Sequence, residues 1–152
     1  MKKLSIEQYT DYWENTHGRC SNDLASVIFP NKPVWFNCFF DRVQKFAISR
    51  YLKKVNISGK RILDLGCGRG RWLDYFGDRG VEVQGIDLSK NAVRICRKKG
   101  YTCHQGSIED LSILQGRFDY ITSITVLLHL PYAVKEKAIE QIGRKLRVGG
   151  KA

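Results

Sequence analysis

Two aspartates and a run of glycines carry the chemistry this chain could do. Asp64 lies in Arg61-Ile62-Leu63-Asp64-Leu65, and Gly66-Cys67-Gly68-Arg69-Gly70 follows at once. Asp87 closes a second apolar run, Val81-Glu82-Val83-Gln84-Gly85-Ile86. A strand that ends in a glycine-rich turn and then a helix puts a ligand at the carboxyl edge of a parallel sheet. Gly66, Gly68 and Gly70 let the backbone turn sharply and approach that ligand closely.

The charges choose among ligands. A dinucleotide fingerprint needs a third glycine for close packing of helix on strand, with pyrophosphate on the helix N-terminus. Here Arg71 occupies that third-glycine slot. Asp64, two residues before the first glycine, is a poor neighbour for pyrophosphate and a good one for an ammonium group. S-adenosylmethionine carries an ammonium, a sulfonium and a carboxylate, and no phosphate, so charge favours it over NAD. No G-x-x-x-x-G-K-[ST] string is present, which excludes a P-loop. Asp87 suits the ribose hydroxyls of any adenosine ligand, so it fits both cofactors.

The elements that must hold these residues alternate from residue 60 onward. The pattern predicts strands at 61–65, 81–86, 101–105 and 118–124, with helices near 70–79, 90–99 and 131–146. Ser89 is a good N-cap and Gly100 a natural residue just past the helix end. Pro131 fits the first turn of its helix. Val134, Ala138, Ile142 and Leu146 form that helix's buried stripe, and Gly149-Gly150 closes it. Residues 106–117 read as loop, as does the stretch from Asn22 to Pro33. Residues 34–54 have helical spacing, with Phe36, Phe39, Phe40, Val43, Phe46, Ala47 and Tyr51 on the apolar face. Asp41, Lys45 and Lys53 then face away.

Alternating strands and helices predict an α/β fold: a Rossmann-like parallel sheet with helices on both faces and an N-terminal helical extension. The division is residues 1–58 for the extension and 59–152 for the cofactor-binding domain. The sheet is expected to be truncated after its fourth strand, since the chain stops at Ala152. That would leave Tyr120-Ile121-Thr122-Ser123-Ile124 as a bare apolar edge. A homo-oligomer or a missing C-terminal segment is the expected cover for it.

The chain has 152 residues, 43% hydrophobic and 27% charged, enough for one domain with a core. No apolar run is long enough to span a bilayer, and no signal peptide follows Lys2 and Lys3, so a cytoplasmic protein is expected. Cys20, Cys38, Cys67, Cys96 and Cys103 lack CxxC spacing and read as reduced thiols without a metal. The net charge of +11 is the unusual bulk property and admits a nucleic-acid partner. It is spread along the chain rather than gathered in one block.

Residues 60–150 resemble the class I S-adenosylmethionine-dependent methyltransferases. The stretch Ile62–Gly70 is similar to that family's first motif and Val83–Ser89 to its second. Gly106-Ser107-Ile108-Glu109-Asp110-Leu111 resembles the third. Phe118–Ile121 with Val126-Leu127-Leu128-His129-Leu130 resembles the fourth. Leu146–Gly150 looks like the turn before the family's fifth strand. The resemblance implies that Asp64 and the backbone of Gly66, Cys67 and Gly68 hold the methionine part. It assigns Asp87 to the ribose, Leu88 to the adenine face and the Ile108 N–H to the adenine ring. The Ile124 carbonyl would reach the ammonium. Ser107 stands where the family usually has an acid for the adenine amino group. The N-terminal helices would lid the cofactor, with Tyr12, Trp13, Trp35 and Phe36 as candidates.

That resemblance implies methyl transfer by in-line displacement, leaving S-adenosyl-L-homocysteine as product. A general base is needed only where the acceptor must lose a proton, and His129 is the candidate; His17 and His104 are weaker. A small-molecule acceptor is the leading expectation. The alternatives are an RNA or protein methyltransferase and a noncatalytic cofactor-binding module.

Overall fold

The structure is a computed structural model and describes residues 6–19, 24, 28, 29 and 31–152. Helices α1 (Ile6–Arg19) and α2 (Val34–Leu52) precede the sheet. There follow β1 (Arg61–Leu65), α3 (Arg71–Gly77), β2 (Glu82–Asp87), α4 (Lys90–Lys98), β3 (Thr102–Gln105) and β4 (Phe118–Thr122). A 3-10 turn (Leu127–His129), α5 (Tyr132–Lys145) and β5 (Leu146–Lys151) complete the chain. Half of the segment from Asn22 to Pro33 lies outside the described residues, and Cys20 lies wholly outside them.

All strand pairs are parallel, in the order β3-β2-β1-β4-β5. Helices α3, α4 and α5 cross over the sheet, while the β3–β4 connection is a helix-free loop whose Ile108, Leu111 and Leu114 pack on it, so both faces are covered. On one face Ile62, Val83 and Cys103 meet Trp72, Leu73 and Phe76 of α3 and Val93 and Cys96 of α4. On the other, Leu63, Leu65, Ile86 and Ile121 meet Leu111, Leu114 and the α5 residues Ala138 and Ile142. Leu63, Leu65, Phe118 and Leu73 are fully buried, each contributing about 1.5–3 kcal/mol relative to exposure. Local signals set the helix ends. The Ser89 hydroxyl accepts the Ala92 N–H at 3.1 Å, and Gly100 takes the left-handed φ of +91° that ends α4.

Two expectations fail. The sheet is not truncated after β4: β5 pairs with it at Phe118↔Leu146 and Tyr120↔Lys151. Arg147 Nη1 adds a 2.9 Å bond to Asp119, whose same carboxylate oxygen accepts the Arg61 N–H at 2.9 Å. The helix stops at Lys145 and Leu146 starts the strand directly, so Gly149-Gly150 lies within the strand and does not close the helix. β5 shows no alternation because it is an outer strand with Val148 fully exposed. With β4 paired, its edge no longer calls for an oligomer or a missing segment as cover.

Helix α2 also presents the opposite face. Asn37 and Asp41 are buried, while Phe39 and Phe46 are 61% and 63% exposed. The polar side chains go inward because each is paired there. Asn37 accepts the Phe29 N–H at 3.0 Å, and its amide donates to the Phe29 and Lys32 carbonyls at 3.1 Å. Asp41 receives Arg71 Nε at 2.6 Å and Lys45 Nζ at 3.0 Å. Ile48 and Leu52 supply the apolar contact to the core.

Candidate active site at the switch between β1 and β4

Chain order reverses between β1 and β4, and that is where a doubly wound sheet opens a cleft at its carboxyl edge. Here a solvent-open cleft lies at that edge, where open α/β sheets bind their ligands. Gly66, Cys67, Gly68, Asp87, Leu88, Ser107, Ile108 and Ile124 all line it. Asp64 is not among the lining residues; it is 1% exposed on β1, two residues before Gly66.

The register explains Asp64. It pairs across to Gly85 on β2 and to Thr122 on β4. The Thr122 hydroxyl donates to Asp64 Oδ1 at 2.7 Å, while Oδ2 is buried without a partner. Burial pushes the carboxyl up to about 7, against the pull of that hydroxyl. A carboxylate held this way gains most from a cation brought to its open oxygen.

The turn after β1 is equally specific. The N–H groups of Gly66 and Cys67 donate to the Ile86 carbonyl at 2.8 and 3.1 Å. Gly68 N–H donates to Asp87 Oδ2 at 2.8 Å, and Gly70 N–H to the Cys67 carbonyl at 3.0 Å. Phosphate-binding turns offer such donors to the anion; here these four are engaged within the protein. Gly66 has a φ of +67°, and a Cβ there would lie 2.6 Å from Val126 Cγ2. Arg71, in the third-glycine slot, lines the cleft and commits its Nε to the ion pair with Asp41. Its Nη2 also donates to Gln44 at 2.6 Å, and it stacks 4.7 Å over Trp72. It ties α2 to the start of α3.

Asp87 Oδ1 accepts the Ser89 N–H at 2.8 Å. Burial raises its carboxyl above the ordinary range, opposed by the neighbouring His17 and by the Ser89 and Gly68 N–H groups. Thr125, on the cleft wall, holds a φ of +65°, a strained conformation for a β-branched residue. Its hydroxyl donates to the Ile124 carbonyl at 2.6 Å. Strain of this kind concentrates at functional sites.

Helix α1 roofs the cleft through Tyr9, Trp13 and His17. Of the expected lid aromatics, only Trp13 lines it. Tyr12 is edge-on to Trp13 and half exposed, Trp35 is 69% exposed, and Phe36 packs with Phe29 and Phe40. Tyr9 was missed, and His17 was named only as a weak candidate base, because a polar segment hides a stripe of three residues spaced by four. Glu109 was missed as well. It lines the cleft two residues beyond Ser107, and its Oε2 is buried without a partner. His129 lies on the 3-10 turn after β4, and its side chain is outside the described residues. His104 is on β3, away from the cleft lining. Cys67, Cys96 and Cys103 gather their sulfurs within 4.8 Å of one another in the core, a group that spacing along the chain does not disclose.

The methyltransferase-domain family profile matches residues 62–150, more than half of the chain, and the chain belongs to that family. A ubiquinone biosynthesis O-methyltransferase of Nitrosococcus oceani is 36% identical over 104 residues, covering 64% of this chain and 43% of the relative. The tRNA (carboxymethyluridine(34)-5-O)-methyltransferase alkbh8 of Xenopus tropicalis is 34% identical over 97 residues, 62% of this chain and 15% of that protein. Among solved structures, DhpI in its SAM–HEP complex superposes with a TM-score of 0.72 at 21% identity, over 99% of this chain and 64% of that one. The chain spans less than half the length of the curated relatives it matches.

Proposed function

We propose that the chain is the cofactor-binding part of an S-adenosylmethionine-dependent methyltransferase acting on a small-molecule acceptor. One observation carries this reading. Asp64 keeps a buried, unpaired oxygen on the strand that leads into a turn with four N–H groups already engaged, so the site favours an ammonium over a phosphate. Asp64 takes the ammonium, assisted by the Ile124 carbonyl, and the Gly66–Gly68 backbone flanks the methionine part. Asp87 takes the ribose, Leu88 packs on the adenine, and the Ile108 N–H meets the ring. Glu109, with its open oxygen, joins Ser107 as acceptor for the adenine amino group. Helix α1 acts as lid, and residues 59–152 as the cofactor domain.

When bound, the cofactor supplies an electrophilic methyl group on its sulfonium. The chain's own residues bind, orient and exclude water, which is where the rate gain of a displacement arises. Where the acceptor must lose a proton, His129 is the candidate base. The small-molecule acceptor is supported by the name of the Nitrosococcus oceani relative. A cytoplasmic setting is supported by the free thiols of Cys38, Cys67, Cys96 and Cys103. Among the described residues no helix is long and apolar enough to cross a membrane.

Calorimetry tests the cofactor assignment: S-adenosylhomocysteine binds, NAD does not, and Asp87→Ala weakens binding roughly 30- to 150-fold. Unchanged affinity in Asp87→Ala removes the ribose role. A second reading, an RNA acceptor, is favoured by the net charge of +11 and by the tRNA-modifying relative. Heparin retention that collapses with modest salt supports it. Tight cofactor binding without turnover across an acceptor panel supports a noncatalytic module.

A further inference from the structure

His17 is 3% exposed, lines the cleft beside Asp87, and leaves its Nδ1 buried without a hydrogen-bond partner. A buried polar atom left open in this way is costly unless something completes it. The ring is not loose. It stacks on Trp13 at 5.7 Å with a 24° interplanar angle. Its helix is fastened at Glu14, whose Oε2 accepts the Ser89 hydroxyl at 2.6 Å and the Asn91 N–H at 3.1 Å. Those contacts put α1 on the N-terminal end of α4, two residues beyond Asp87. Burial holds the imidazole below its ordinary pKa, against the pull of Asp87, so the ring is neutral, with one donor and one acceptor nitrogen.

We propose that His17 is a ribose ligand, its Nδ1 pairing with a ribose hydroxyl of the bound adenosine alongside Asp87. This rests on the cofactor reading above. A hydroxyl both donates and accepts, so it completes Nδ1 in either tautomer. Both Asp87 oxygens already accept backbone N–H groups, so the second polar group at the ribose comes from the roof. Helix α1 is then part of the binding site, and its closure is coupled to the nucleoside rather than to the methionine end.

The test is calorimetric titration of the wild-type chain, His17→Ala, His17→Asn and His17→Gln with S-adenosylhomocysteine and its 2′-deoxy and 3′-deoxy analogues. His17→Ala is expected to weaken S-adenosylhomocysteine roughly 3- to 10-fold. It should leave unchanged the affinity for the deoxy analogue that lacks the paired hydroxyl. His17→Asn keeps an oxygen near the Nδ1 position and recovers most of the loss, while His17→Gln reaches past it and does not. The Asn–Gln contrast decides the matter even where the alanine variant fails to fold. Equal binding by wild type and His17→Ala overturns the proposal. So does an equal penalty on all three ligands, which would make His17 a helix-docking residue. Failure of the wild-type chain to bind S-adenosylhomocysteine at all overturns the cofactor reading instead.

Discussion

Cofactor binding should expel a proton from Asp64. Burial holds this carboxyl at about 7, against about 3.9 in an unfolded chain. A group at about 7 is about nine-tenths protonated at pH 6. An ammonium brought to Oδ2 favours the ionised form strongly, so binding at pH 6 releases about 0.9 proton from this site. Titrations in two buffers of unlike ionisation enthalpy read that number. Asp64→Asn has no proton to lose, so its release should fall short of the wild type by about 0.9, and its affinity should drop roughly a hundredfold. The same shift fixes how stability depends on pH. The folded pKa lies above the unfolded one, so between about 4 and 7 the folded state binds more protons. The contribution is complete below about pH 4 and is lost as pH rises to about 7, totalling about 4 kcal/mol without cofactor. Cofactor-free Asp64→Asn should therefore melt higher than wild type at pH 8. Equal proton release in the two proteins, or a variant that melts lower at pH 8, would refute the reasoning.

Three further outcomes are expected. Gly66→Ala sets a Cβ 2.6 Å from Val126 at a φ of +67°, costing about 2–3 kcal/mol and closing the turn to ligand; Val126→Ala relieves the clash but not the strain, by thermal melting. Arg71→Ala leaves Asp41 buried beside Lys45 alone and should cost about 3 kcal/mol in urea denaturation, whereas Arg71→Met with Asp41→Leu should recover most of it. Phe39→Ser and Phe46→Ser, both on the exposed side of α2, should each change stability by less than about 0.5 kcal/mol; large losses would mean that α2 packs by its aromatic face after all.

The cofactor half of the fold was legible because its signals are local. The run from Ile62 to Gly70 encodes a strand, a turn and a helix start in sequence order, and Ser89 and Gly100 mark both ends of α4. Asp64 and Asp87 stood out because their distances from the glycines follow from strand length. Helix α2 was misread because periodicity reports which face is apolar, not which is buried. Asn37 and Asp41 find partners only in the folded chain, on the 29–33 loop and on Arg71. Strand β5 escaped because an outer strand with exposed Val148 needs no alternation. His17 and Glu109 are near the cofactor cleft through contacts between segments far apart in the chain, which a linear reading does not contain.

The engaged N–H groups of the Gly66–Gly70 turn bear on competition among nucleotides. ATP and NAD share the adenosine that Asp87 and Leu88 are built to receive, so those residues cannot exclude them. Exclusion falls to the turn. A pyrophosphate arriving there finds donors already bonded to Ile86, Asp87 and Cys67, and the buried acid stands on the strand that leads into the turn. It would have to shed its water without those four N–H groups to replace it. Selectivity is a difference of affinities, and at this turn the difference is made by what the backbone withholds.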